Sequence, residues 1–308
     1  MVGAGAAGDA QRPCNPAHER GSPLDSARTG SGSGRIGLIG AGALARALVR
    51  GFLATGWPAA DLWVTNRADD ERLAALRGQG LQATRDLDAL TGAVDLLLLL
   101  TKPKDAPMVL EALRDRIGPG HRLISCMAGV STQFIESTLG GVPRVLRAMP
   151  NLASAVGASA TALAPGRYAE PSDVDAAVRL LRTVGEVVTV EEGMLDAVTA
   201  VAGSGPAYVF LLMEAMTEGA AALGLPGPVA RALVAQTVSG AARLVTAGEG
   251  SPAQLRQAVS SPGGTTLAGL GVLEEGGLRR LVALALLRAT ERSRALGQGW
   301  DGPAASHP

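Results

Sequence analysis

Residues Arg35–Ala45 read RIGLIGAGALA. Ile36, Leu38 and Ile39 suit a short buried strand, expected over Arg35–Gly40. The chain then passes through Gly40-Ala41-Gly42-Ala43-Leu44-Ala45, a G-x-G-x-x-A pattern. It continues into Ala43–Ala54, where Leu44, Leu48 and Phe52 share one helical face. A glycine fingerprint between a strand and a helix is the context in which a dinucleotide pyrophosphate is held. Gly40 allows the tight turn. Gly42 removes a side chain, so N–H groups at the positive helix end reach phosphate. Ala45 lets the helix lie close to its strand.

The same rhythm continues downstream. Strands are expected at Leu62–Thr65, Val94–Leu100, His121–Cys126 and Arg144–Met149. Helices are expected at Asp69–Arg77, at about 104–116 and at 131–138. Val94–Leu100 is apolar on both faces apart from Asp95, as a central parallel strand is. Gly157–Leu163 and Glu186–Val190, around a helix over 172–183, read as the last strands. Strands alternating with helices imply βαβ units and a parallel sheet.

The pattern changes near residue 193. Ala207–Leu223, Val229–Thr246, Pro252–Ser260, Thr265–Glu275 and Leu278–Leu296 all read as helices. The expected organisation is α/β: a Rossmann-like dinucleotide-binding domain over 35–192, then an all-α dimerisation and substrate domain over 193–297. Residues 1–34 and 298–308 read as disordered tails. Helices apolar on nearly all sides need partners, which points to a homodimer.

Composition closes other doors. The 308 residues carry 28 Lys+Arg and 28 Asp+Glu, leaving no basic excess to neutralise nucleic-acid phosphates. Aromatics are 3% of the chain, too few for base-stacking platforms. Cys14 and Cys126 stand far apart, which fits a reducing, cytoplasmic setting rather than a disulfide framework. The tail has no apolar signal segment, and the longest apolar run, Val94–Leu100, is too short to span a bilayer, so no membrane partner is expected. The histidines are His18, His121 and His307, and acids such as Glu214/Glu218 and Glu274/Glu275 read as solvated faces or caps. No metal site is expected.

The strand Leu62–Thr65 is followed by Asn66 and Arg67. An NAD site usually places a carboxylate here for the ribose hydroxyls. Arg67 instead suits a 2′-phosphate, which favours NADPH and keeps NADH as the alternative. Thr101-Lys102-Pro103 and Cys126-Met127-Ala128-Gly129 close the next two strands at the cofactor edge. In the helical half, Ala202–Ala207 (AGSGPA) and Ser260–Thr266 (SSPGGTT) each precede a helix. Either can offer N–H groups and hydroxyls to an anion, or simply cap its helix. The only lysines are Lys102 and Lys104. A substrate needing a strong acid in the helical half would not find one. A protonated imine is already electrophilic and needs mainly positioning.

These residues resemble the pyrroline-5-carboxylate reductase family over about 35–297. The markers are RIGLIGAGALARAL at 35–48, TKP at 101–103, RAMPN at 147–151, LDAVTAVAGSGPAY at 195–208, GLP at 224–226 and SPGGTTLAGLGVLEEGG at 261–277. The last is the most diagnostic. The resemblance implies NAD(P)H-dependent reduction of 1-pyrroline-5-carboxylate to L-proline, the last step of proline biosynthesis. It also implies an interlocked homodimer that can assemble into a larger ring such as a decamer. Ile39, Gly40, Ala41, Gly42, Ala43, Leu44, Asn66, Arg67, Thr101, Lys102, Pro103, Cys126, Ala128 and Asn151 would line the cofactor site. Ser261, Gly264, Thr265 and Thr266 would hold the substrate carboxylate, and Val259 would offer a carbonyl. Thr266 is the implied catalytic residue, bonding or protonating the ring nitrogen.

This chain departs from the family pattern in places. Ala43-Leu44 replaces the usual Asn-Met or Gln-Leu. Asn151 is followed by Leu152-Ala153 rather than Thr-Pro. Ala202 replaces a serine, and an asparagine usual before the TKP strand is replaced near Leu87. The alternatives are a paralogue acting on another cyclic imino acid and a catalytically weak dinucleotide-binding protein.

Overall fold

The computed structural model describes residues 34–67, 70–141 and 143–298. The two tail expectations fall outside these residues except at Gly34 and Gln298, as does the expected helix start at Asp69. The sheet has eight strands in the order β3-β2-β1-β4-β5-β6-β7-β8. These are β1 Ile36–Ile39, β2 Leu62–Thr65, β3 Gln82–Thr84, β4 Leu96–Leu99, β5 Arg122–Ser125, β6 Arg144–Met149, β7 Ser159–Pro165 and β8 Gly185–Thr189. The strands reverse direction of addition between β1 and β4, which creates the ligand crevice of an open α/β sheet.

The helices of this half are α1 Ala43–Ala54, α2 Asp70–Arg77, α3 Leu87–Ala93, α4 Ala106–Leu113, α5 Thr132–Thr138 and α6 Pro171–Arg182. Alternate strand residues feed two apolar layers, as a period of two requires. Leu38, Val64 and Ile124 pack with Leu48 and Phe52 of α1 and Leu180 and Leu181 of α6. Ile39, Leu97, Leu99 and Leu123 pack with Leu90 of α3, Leu110 of α4 and Ile135 of α5 on the other face. Gly51 brings α1 against the 3-10 turn Leu152–Val156. A Cβ there would fall 2.2 Å from the Ser154 carbonyl oxygen.

Three expectations need correction. The sheet is not wholly parallel: β7 runs antiparallel to β6, and β8 is parallel to β7. The link from β6 to β7 is too short for the crossover that a parallel neighbour needs. Strand β3 and helix α3 were not expected. β3 is three residues long with polar ends, and α3 is seven residues, so neither develops a readable period. Helix α3 still carries one local signal, Asp86 accepting from the Ala89 N–H at 3.0 Å as its N-cap. Lastly, Ala202–Ala207 leads into a long helix as expected, but from a helical turn rather than from an open end. Thr199–Gly203 is a π-helical turn that runs into the helix starting at Gly205, and the Ser204 N–H is spent on the Thr199 carbonyl at 2.8 Å.

The second half comprises α7 Leu195–Val198, α8 Gly205–Ala222, α9 Gly227–Thr246, α10 Pro252–Ala258, α11 Thr265–Glu275 and α12 Leu278–Gly297. Helix α12 returns to the sheet half. Ser293 donates to Asp196 at 2.6 Å, and Gly297 packs so tightly that a Cβ there would lie 2.3 Å from the Gly129 carbonyl. In contrast, α8, α10 and α11 bury no residue at all. Phe210, Leu211, Leu212, Leu281 and Leu284 are exposed. The continuous helical run Glu192–Ala222 is long and apolar enough to cross a membrane by length and composition, unlike the short Val94–Leu100 run.

Candidate active site

The Gly40 turn takes a left-handed backbone, φ 114°, and a Cβ there would fall 2.9 Å from the Leu100 carbonyl oxygen. Only glycine fits this turn without strain. The loop is pinned by the Gly40 N–H on the Thr65 carbonyl and the Leu100 N–H on the Ile39 carbonyl, both 2.9 Å. Gly42 is the N-cap of α1, has no side-chain cap, and has open space where its Cβ would be. Ala41 and Ala45 are buried, Leu44 is half-buried against the core, and Ala43 is exposed in the first turn. An uncapped helix end above a hollow is a fitting seat for a pyrophosphate.

A cleft of about 300 Å³ opens beside this turn. Ile39, Gly40, Asn66, Arg67 and Thr101 line it, so five of the sequence-derived residues meet there, with Thr65 beside them. Leu87, Val109 and Ala112 give it an apolar wall that suits a flat purine. The Arg67 guanidinium lies at the rim against the Met108 thioether. Arg85, Leu87, Asp105 and Met108 also line the cleft and were not foreseen as contacts. They follow β3 and open α3 and α4, and missing β3 hid the first two.

The other cofactor-edge residues follow adjacent strand ends. Lys102 is exposed and caps the 3-10 turn Pro103–Asp105, outside the cleft lining. Thr101 donates to the Met127 sulfur at 3.4 Å. Cys126 is 8% exposed, and burial pushes its thiol up to about 12, so it stays a neutral packing group. Ala128 packs against Met149 and Leu195 where the two halves join. Asn151 is buried and its side chain is already used. It accepts from the Ala153 N–H at 2.9 Å and donates to the Ala202 carbonyl at 3.0 Å. It ties the end of β6 to the π turn.

Arg147 of β6 forms the charged part of this junction. It is 4% exposed, 3.3 Å from Glu192 and 3.8 Å from Asp196. Glu192 also accepts from the Thr132 backbone N–H at 2.8 Å and from its hydroxyl.

The Val259–Thr266 loop lies elsewhere. Val259 and Ser261 are exposed, and the cleft at the sheet contains no residue of this loop. The Gly264 N–H donates to the Ser261 carbonyl at 3.0 Å, and a Cβ at Gly264 would fall 2.5 Å from the Ser261 hydroxyl. Gly264 caps α11 without a side-chain bond, so Thr265 and Thr266 begin a helix with an open anion end. Glu274 is occupied by Arg279 and Arg256, which hold its carboxyl below the usual range. No group of three His, Cys, Asp or Glu suited to a metal occurs among the described residues.

Fold and cleft define the class: a dinucleotide-dependent oxidoreductase with a helical second domain. Residues 35–129 match a family model described as NADP oxidoreductase, coenzyme F420-dependent, and 192–296 match one described as pyrroline-5-carboxylate reductase dimerisation. The chain is 38% identical over 273 residues to pyrroline-5-carboxylate reductase 1 of Bacillus spizizenii, covering 88% of this chain and 92% of that one. It is 37% identical to the pyrroline-5-carboxylate reductase of Methanosarcina acetivorans, covering 86% and 98%. The solved reductase of Coxiella burnetii superposes with a TM-score of 0.77 at 40% identity, over 85% of this chain and 98% of that one. That of Plasmodium falciparum, solved with NADP bound, gives 0.78 at 25% identity over the same shares. The chain belongs to the pyrroline-5-carboxylate reductase family.

Proposed function

We infer that the chain transfers hydride from NAD(P)H to the C=N bond of 1-pyrroline-5-carboxylate, giving L-proline. The observation that carries this reading is the pairing of two uncapped helix ends. One, at Gly42, stands beside a purine-sized cleft. The other, at Gly264, is flanked by Thr265 and Thr266 and carries no acid.

The bound nicotinamide supplies the hydride. The protein's own groups bind, orient and exclude water. The α1 end holds the pyrophosphate over Gly42, and Arg67 favours the 2′-phosphate of NADPH. The N–H groups and hydroxyls of Ser261, Gly264, Thr265 and Thr266 hold the substrate carboxylate, with the Val259 carbonyl nearby. The Thr266 hydroxyl bonds the ring nitrogen, which carries a proton before reduction and becomes a secondary amine after it.

The loop and the cleft belong to different copies in this reading. The exposed apolar faces of α8, α11 and α12 pack against a second chain, which brings its Thr266 loop to this chain's cleft. Dimers can then close into a ring such as a decamer. The apolar run Glu192–Ala222 is subunit contact in this account, and the enzyme works in the cytoplasm without a nucleic-acid or membrane partner.

The test is oxidation of NADPH by the purified protein with 1-pyrroline-5-carboxylate, beside a six-membered cyclic imino acid. Saturable turnover favouring the five-membered ring is expected. Preference for the larger ring would make the chain a paralogue. Background rates with both imines, with NADPH still bound, would make it a binding protein only. Thr266→Ala should lower kcat/KM on the order of 10²-fold.

A further inference from the structure

Strands β2 and β3 run parallel with Thr65 opposite Thr84. The chain continues from these partners into Asn66-Arg67 and Arg85, side by side at the C-terminal edge. Parallel neighbours lie about 4.8 Å apart, so both strands deliver a guanidinium to the same rim. Both arginines line the cleft, whose lining among the described residues contains one acid, Asp105.

Among the described residues, the partners of the two arginines are weak. Arg67 rests against a thioether, which cannot neutralise it. Arg85 pairs with Asp70 at 2.9 Å, with the two side chains 51% and 80% exposed. Such an exposed pair contributes little and is readily exchanged. Asp70 stands in the first turn of α2, where the helix end holds its charge without Arg85. Leu87, also in the lining, offers the ribose no hydrogen bond, so the polar grip on this end of the cofactor falls to the residues beside it.

We propose that Arg85 is the second cation of the 2′-phosphate subsite. Arg67 and Arg85 clamp the phosphate from two strands, and Asp70 holds Arg85 when the phosphate is absent. This makes Arg85 a determinant of NADPH over NADH. The proposal rests on the cofactor reading above and extends it to a residue with no place in the fingerprint.

The test is titration of the full-length protein with NADPH, NADH, 2′,5′-ADP and 5′-AMP by calorimetry, for wild type, Arg85→Gln, Arg85→Lys and Arg67→Gln. Arg85→Gln should weaken NADPH and 2′,5′-ADP on the order of tenfold, the loss of one charge-assisted contact. NADH and 5′-AMP should stay within about twofold, and Arg85→Lys should recover part of the loss. Asp70→Asn should leave NADPH affinity unchanged or tighten it. Equal weakening of NADPH and NADH by Arg85→Gln, or no change in either, would overturn the proposal while leaving the cofactor reading in place. Wild-type protein that binds neither dinucleotide would sink the cofactor reading and the proposal with it.

Discussion

Gly40 and Gly42 stand two residues apart and face opposite demands. Gly40 is required by the fold, because its φ of 114° and the Leu100 carbonyl exclude a side chain. Gly42 has open space where its Cβ would be, so packing within the chain does not require it. Gly42→Ala should therefore melt within about 1 kcal/mol of wild type and yet bind NADPH at least tenfold more weakly. A large loss of stability would show that the hollow serves packing. The fingerprint was legible because its chemistry is local, with each glycine answering to its own neighbours. Asn151 shows the opposite case. Its place in the RAMPN marker suggests cofactor contact, and its bond to the Ala202 carbonyl, 51 residues away, is one that no spacing rule announces. Cys126 is buried, as a small lone thiol commonly is. Its thiol should resist alkylation at neutral pH in the folded protein and react in denaturant, and rapid native-state labelling would contradict its burial.

At the scale of elements, the sheet is held at its N-terminal edge by Asp173 of α6, which is fully buried. It accepts from Arg122 at 2.6 Å, Arg144 at 3.2 Å and the Glu170 N–H at 2.9 Å. Burial pushes its carboxyl up, but these hydrogen bonds outweigh burial and leave it below its usual 3.8. A depressed carboxyl stabilises the fold above its unfolded value and loses that contribution as pH falls through the native one. The wild type should thus lose stability as pH drops below about 4, while Asp173→Asn should lack that component. At neutral pH Asp173→Asn should cost about 3 kcal/mol in a urea titration. Equal stability of the two proteins at neutral pH would contradict the buried pair. Most elements were legible from period and turn chemistry, including α1, β2, β6 and α11 at their observed bounds. The failures share a cause. β3 and α3 are too short to show a period, the direction of β7 is set by the length of its connection, and the π turn at Thr199–Gly203 looks like a glycine loop in sequence.

At the scale of the molecule, one chain presents two incomplete halves. The cleft at the sheet includes no described residue of the Thr266 loop, and that loop opens a helix with no side-chain cap. The apolar periodicity of α8, α9 and α12 points to a partner, but carries no sign of which loop and cleft a second copy would bring together. Leu284→Asp, on the exposed face of α12, should shift the protein toward monomer in sedimentation. It should also remove turnover while NADPH still binds the sheet half. A fully active monomer would contradict the shared site.

The most direct test of the central claim is the steady-state oxidation of NADPH by the purified wild-type protein with authentic 1-pyrroline-5-carboxylate, with the product identified. Saturable oxidation with one L-proline formed per NADPH consumed is the predicted result. NADPH that binds but is consumed only at the background rate across all concentrations of the imine would contradict it.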